Sequence, residues 1–375
     1  MAGIYLHIPF CKSRCIYCDF YTTTDAHLQD SYLEALMQEL KLRKEYLRDS
    51  IKTIYIGGGT PSLLSANQLE KLFHTLSSEY DLTAVKEITL EANPDDLSHT
   101  YLKSLQHLPI NRLSIGIQSF NDKQLKALNR RHSAKQAIEA VQRSQDSGFQ
   151  NISIDLIYGL PNETIQEWEK DLEQAIALNI QHLSAYHLIY EKDTPLFRLL
   201  QEEKVQEIDE DLSVHFFSLL IDRLKEAGFE HYEISNFCKK GFRSLHNSSY
   251  WDGSQYMGCG PSAHSYNGIS REWNISSLPE YIKGMQSDHR VFEQEDLDLP
   301  TQYNDYIITS LRRCEGIDLK YVKKVFGEKL YQHCLFFAQP HINSQTLELK
   351  NDNLKLTHPG IFLSDGIMSD LLFII

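Results

Sequence analysis

The chain has 375 residues, 42% of them hydrophobic and 23% charged, with a net charge of −14. That balance suits a soluble globular protein of about two domains, and the acidic excess argues against a broad nucleic-acid-binding surface, which needs clustered Lys and Arg. No uncharged apolar stretch is long enough to span a bilayer, the apolar end "MSDLLFII" included.

The first predicted element is the strand "IYLHIPF", Ile4 to Phe10, which begins without the basic and apolar regions of a signal peptide. It runs into Cys11-x3-Cys15-x2-Cys18, three of the seven cysteines, with Phe20 two positions further on. An odd count with three clustered points to metal binding in a reducing compartment rather than to disulfides, so a cytoplasmic location is expected. Structural zinc takes four ligands, often as two separated pairs. Ferredoxin-type clusters use x2-x2 spacing with a fourth cysteine nearby. Three thiolates on a [4Fe–4S] cluster would leave one iron without a protein ligand, open to a substrate or cofactor. The remaining cysteines, Cys238, Cys259, Cys314 and Cys334, are scattered and read as structural.

Further strands are expected at Thr53–Gly59, Glu87–Pro94, Arg112–Ser119, Asn151–Gly159 and His182–Tyr190. Between them lie amphipathic helical patterns such as "DSYLEALMQELKLRKEY" and "TIQEWEKDLEQAIAL". Alternation of this kind implies a parallel sheet, either open and doubly wound or a barrel, and periodicity does not choose between them. In both, sites gather at the carboxyl ends of strands, and Gly57 to Thr60, Glu91, Gln118 and Asp155 stand at those ends.

After Tyr190 the alternation weakens into a charged helix and then a mixed segment holding "YEISNF", "HNSSYW" and "GPSAHS". A histidine near aromatics is ordinarily packed and hydrogen-bonded, yet an imidazole is also a good axial ligand for heme iron, and aromatic rings supply apolar faces. His246 and His264 are two such histidines of this segment. From about Pro300 helices and short apolar runs predict a small C-terminal α+β domain with winged-helix-like patterning. The division expected is a core over residues 1–235, a connecting segment over 236–295 and the C-terminal domain over 296–375.

The cysteine run resembles the signature of radical S-adenosylmethionine (SAM) proteins. "YLHIPFC", "GGGTPS", "SIGIQSF", "IDLIYGLP", "YEISNF" and "HNSSYW", in that order, resemble the group that contains oxygen-independent coproporphyrinogen III oxidase and the heme chaperones related to it. The resemblance implies an α/β fold with a partial (β/α)6 TIM-type barrel. It implies a [4Fe–4S] cluster on Cys11, Cys15 and Cys18, with SAM on the open iron and able to yield a deoxyadenosyl radical. It implies SAM contacts from Gly58, Gly59, Thr60, Glu91, Gln118, Arg130 and Asp155, with Tyr5 beside the cluster and Tyr17 where the oxidase sets an aromatic against a second SAM. It assigns no catalytic residue. A guanidinium such as that of Arg130 recognises carboxylates bidentately.

Two functions of different classes follow from the resemblance. In the oxidase the run continues to a fourth cysteine, where this chain has Phe20, and an extension precedes the first strand, which here starts at Gly3. "HNSSYW" is tied in the chaperone branch to heme binding, so the resemblance makes His246 the first heme candidate and His264 in "GPSAHS" the second. With that motif, both departures favour a chaperone that passes heme to acceptors, respiratory proteins among them. That branch further implies a homodimer and peripheral contact with the membrane. The alternative is the radical decarboxylation of coproporphyrinogen III.

Overall fold

Alternation within each strand decides how this chain folds. In the computed structural model, which describes residues 1–374, six parallel strands lie side by side in chain order. They are β1 (Ala2–Ile8), β2 (Ile51–Gly58), β3 (Glu87–Ala92), β4 (Arg112–Gln118), β5 (Ile152–Tyr158) and β6 (His182–His187), each joined to the next by helices. The expected strands are all present, with ends moved by up to three residues.

Strands buried on both faces of a parallel sheet usually read as unbroken apolar runs. These strands instead alternate, and successive side chains point to opposite faces. Ile4, Leu6 and Ile8 of β1, Ile54 and Ile56 of β2, Leu113, Ile115 and Ile117 of β4, and Ile152, Ile154 and Leu156 of β5 are buried. They pack with Leu36, Leu72, Val141, Trp168 and Phe216 of the covering helices. Each such side chain removed from water contributes roughly 1.5–3 kcal/mol, so this face holds the sheet and its helices together. The opposite face carries Tyr5, His7, Thr53, Tyr55, Thr89, Glu91, Arg112, Ser114, Asp155 and Ser184. Polar groups there have to find partners among themselves or in a ligand.

Helix starts were written locally. Ser65 with Gln68, Ser133 with Gln136 and Thr164 with Glu167 each form a reciprocal capping box at the head of a crossover helix, satisfying donors that the first turn leaves free.

The sheet does not close. Beyond β6 come β7 (Glu230–Glu233) and β8 (Asn236–Cys238), and β8 pairs antiparallel with β6. Then β9 (Gln255–Cys259) pairs parallel with β1, followed outward by β10 (His264–Tyr266), β11 (Ser270–Asn274) and β12 (Phe292–Asp296). The barrel is thus partial, a twelve-stranded open sheet whose six central strands carry the crossovers. Residues 236–295, expected as a connecting segment, supply β8 to β11 and most of β12. Strands of three to five residues hold too little periodicity to be read in advance.

Glu39 fastens this extension to the first crossover helix (Gln29–Leu42). Its fully buried carboxylate accepts from Gly260 N at 2.8 Å, Tyr281 OH at 2.7 Å and Asn274 Nδ2 at 2.8 Å, and it pairs with Arg43 and Arg290.

From Leu299 a second core forms around Tyr303, Ile307, Val322, Leu330 and Leu354. Two helical stretches, Leu299–Leu311 and Leu319–Asn343, flank a three-stranded sheet of β13 (Ile317–Asp318), β14 (Leu347–Lys350) and β15 (Asn353–Leu356) in the order β13-β15-β14. Gly327, at φ +82°, breaks the longer stretch into two helices. Among the described residues no helix is long and apolar enough to cross a membrane.

Candidate functional site

The polar face of the sheet opens at the carboxyl ends of the strands into a cavity of about 440 Å³. One wall is the loop after β1, closed at its base where Cys11 N donates to Thr23 O (2.9 Å) and Thr23 N to Pro9 O (2.7 Å). The loop is tied across to the β4–β5 crossover by Asn129 Nδ2, which donates to Arg14 O at 2.7 Å, and by Ile16 N, which donates to Leu128 O at 3.3 Å. Cys11, Cys15 and Cys18 all face the cavity from this loop. Thr60 Oγ1 donates to Cys11 Sγ at 3.5 Å, and Arg130 Nη1 donates to Cys15 Sγ at 3.2 Å. Burial raises the thiol of Cys11 and pushes that of Cys18 up to about 11. Among the described residues no three His, Cys, Asp or Glu side chains converge as a cage for a single metal ion.

Glycines bring backbone to that wall. A Cβ on Gly59 would lie 2.9 Å from Cys11 Sγ and 2.8 Å from Phe10 O, and Gly58 sits at φ +112°, where an L side chain is strained. Gly57 has a different use: a Cβ there would meet Tyr55, Glu91 and Tyr5 at 2.8 to 3.0 Å, so its absence lets those three converge.

The opposite wall is acidic. Tyr55 OH donates to Glu91 Oε1 at 2.7 Å and Gly58 N to Oε2 at 3.0 Å, yet burial dominates and pushes Glu91 up to about 7. Burial likewise pushes Asp155 up to about 6, against hydrogen bonds from Ser184 and Ser114. Gln118 stands where the β4–β5 register slips, at φ +73°, a bulge that re-aims its side chain over Gly116. Arg130 Nη2 is held by Asn93 Oδ1 at 2.6 Å and by Gly116 O, while its buried Nε has no protein partner. A donor left free in a cavity wall is one that a ligand oxygen can use.

The structure therefore gathers Cys11, Cys15, Tyr17, Cys18, Gly58, Gly59, Thr60, Glu91, Gln118, Arg130 and Asp155 around one space. Three expected residues are not in its lining. Tyr5 lies below the floor, its hydroxyl on His7 Nδ1 at 3.0 Å. His246 is completely buried in the helix Leu245–Trp251, and both its ring nitrogens are engaged, Nδ1 with Thr53 Oγ1 (2.8 Å) and Nε2 with Tyr250 OH (3.0 Å). Its neighbour Asn247 reaches the cavity instead. His264 is exposed on β10, stacked on Trp273 at 5.9 Å. Sequence reasoning missed Tyr55, Asn93, Ser114, Ser184 and Tyr186, which also line the space. Their signal was the alternation itself, polar at every second position in strands that run parallel.

A three-thiol loop after the first strand, a glycine-rich end to the second and an acidic wall opposite, on an open parallel sheet, define a radical SAM domain. The family model of the radical SAM superfamily matches residues 5–175. The chain is 35% identical over 372 residues to the heme chaperone HemW of Lactococcus lactis, covering 98% of this chain and 96% of that protein. It is 36% identical to the heme chaperone HemW of Bacillus subtilis, with 99% of each covered. Among solved structures it is similar to the coproporphyrinogen III oxidase HemN of Escherichia coli, with a TM-score of 0.85 over 99% of this chain and 89% of that one, at 21% identity, a likeness of fold. The chain belongs to the HemW family of heme chaperones within the radical SAM superfamily.

Proposed function

We propose that the protein binds heme and passes it to acceptor proteins, respiratory proteins among them, while carrying a [4Fe–4S] cluster and SAM. The observation that carries the reading is Phe20. It lines the cavity two residues after Cys18, where the oxidase's run continues to a fourth cysteine, and it is 62% exposed. Ile189, 63% exposed, and Tyr186 also border the cavity. Single exposed apolar side chains are ordinary, but these three border one cavity, and apolar groups gathered in one patch mark a surface for a partner; a porphyrin face is flat and apolar.

The residues present fit both cofactors. Cys11, Cys15 and Cys18 would hold the cluster, and Gly58, Gly59, Thr60, Glu91, Gln118, Arg130 and Asp155 would hold SAM. When bound, the pair supplies one-electron reductive cleavage of the sulfonium. The chain's own contribution is positional. Arg130 directs a hydrogen bond at the Cys15 sulfur and Thr60 one at the Cys11 sulfur, which holds those two side chains in place on the wall. Glu91 and Asp155 would present carboxyl oxygens to the ribose hydroxyls of SAM.

The test is anaerobic and uses protein with its cluster reconstituted. Heme is added in one experiment, and coproporphyrinogen III with SAM and a reductant in another. Stoichiometric heme binding, seen in the Soret band, without decarboxylated product is the expected result. Product formation would establish the oxidase reading instead.

A further inference from the structure

The helix that carries "HNSSYW" is built into the barrel rather than laid over its mouth. Glu87, at the start of β3, accepts from Leu245 N and His246 N at 2.9 Å each. Gly3 makes room for the ring, since a Cβ there would lie 3.1 Å from His246 Nδ1. Thr53 and Tyr250 then fix the imidazole in its plane. In that plane it stacks on Tyr55, with centroids 5.0 Å apart and an interplanar angle of 24°. Tyr55 is the residue whose hydroxyl holds Glu91, and Glu91 holds the Gly58 N–H. An unbroken series of contacts runs from His246 through Tyr55 and Glu91 to the glycine segment.

We infer that His246 is a positioning residue for the SAM subsite, acting through Tyr55 and Glu91, and is not the ligand of heme iron. To ligate iron, the imidazole would have to leave Thr53 or Tyr250, lose its stacking on Tyr55 and open the barrel floor. Carboxylates and hydroxyls that orient a ligand are themselves held by a further layer of partners, and His246 with Thr53 is that layer for Tyr55. The inference rests on the cofactor reading above.

The experiment measures two dissociation constants on the reconstituted, full-length protein: SAM by equilibrium dialysis and heme by Soret titration. Wild type, His246→Ala and Tyr55→Phe are compared, with iron content and the electron paramagnetic resonance spectrum of the reduced cluster recorded for each. His246→Ala and Tyr55→Phe are each expected to weaken SAM about tenfold, at the low end for outer-layer partners, and to blunt the spectral change that SAM produces. Heme affinity and iron content stay within twofold of wild type. His246→Gln, whose planar amide can still bond Thr53, recovers part of the loss. Heme affinity lost in His246→Ala but kept in Tyr55→Phe overturns the inference, as does an unchanged SAM affinity in either variant. If His246→Ala does not fold, Tyr55→Phe decides alone, because it removes one oxygen and leaves the ring. Failure of the wild type to bind SAM overturns the cofactor reading, and the inference with it.

Discussion

Tyr55 on β2 and Glu91 on β3 share a 2.7 Å hydrogen bond whose carboxyl partner has its pKa raised to about 7. The hydroxyl and the Gly58 N–H both favour the ionised form, but removal from water outweighs them. A raised carboxyl pKa means that the folded protein binds a proton which the unfolded chain has released, so this group costs stability as pH rises from the unfolded value through about 7. A sulfonium ligand favours the carboxylate. SAM affinity is therefore expected to rise between about pH 6 and about pH 8, with a proton released on binding. Dialysis across that range tests it, and Glu91→Gln should lessen the rise, leaving the part that Asp155, raised to about 6, contributes. A flat wild-type profile would remove Glu91 from the subsite.

The thiol wall tolerates little change. Cys15→Ser is expected to abolish the brown absorbance of reconstituted protein and lower its iron and sulfide content to background. Gly59→Ala should have a similar effect without touching a ligand, because its Cβ would stand 2.9 Å from Cys11 Sγ with backbone behind it. Unchanged iron content in Cys15→Ser would sink the cluster assignment.

At the mouth, Phe20→Asp and Ile189→Asp are each expected to weaken heme binding about tenfold, a little less than full burial of such a side chain contributes. Cluster content should not change, since neither side chain is a proposed ligand. Equal Soret titrations for wild type and both variants would move heme elsewhere on the protein.

Glu39→Ala leaves the buried guanidinium of Arg43 short of a partner and also takes one from Arg290. Breaking a buried pair in this way costs about 3–5 kcal/mol, so the urea midpoint should fall well below that of the wild type. A loss under about 1 kcal/mol would mean that Glu272 and Asn274, which also contact these arginines, carry the network without it.

The six central strands and the thiol loop were legible because each has a strong local signature: a short β-rich run between amphipathic helical patterns, or a cysteine spacing. Gln118 does close β4, as expected, but Asp155 stands in the middle of β5 rather than at its end, and its inward direction, like that of Glu91, follows from the alternation along the strand. What lay beyond reach depended on long-range pairing. That β9 joins β1 in parallel follows from contacts across some two hundred and fifty residues, and nothing local announces it. His246 shows the same limit from the other side. Its motif suggested a ligand, and only the fold shows that Thr53 and Tyr250 engage both ring nitrogens and that Tyr55 stacks on the ring.

A twelve-stranded sheet that fails to close has two free margins, and each is a template on which another chain could add a strand. At one, β7 is bridged to the C-terminal unit through Glu233 and Arg313. At the other, β12 exposes all five of its residues, Glu293, Glu295 and Asp296 among them. A like strand docking there would bring carboxylates against carboxylates. The protein guards its open margin by repulsion, so lateral self-association should be weakest in dilute buffer at neutral pH and should grow when salt or acid quiets those charges.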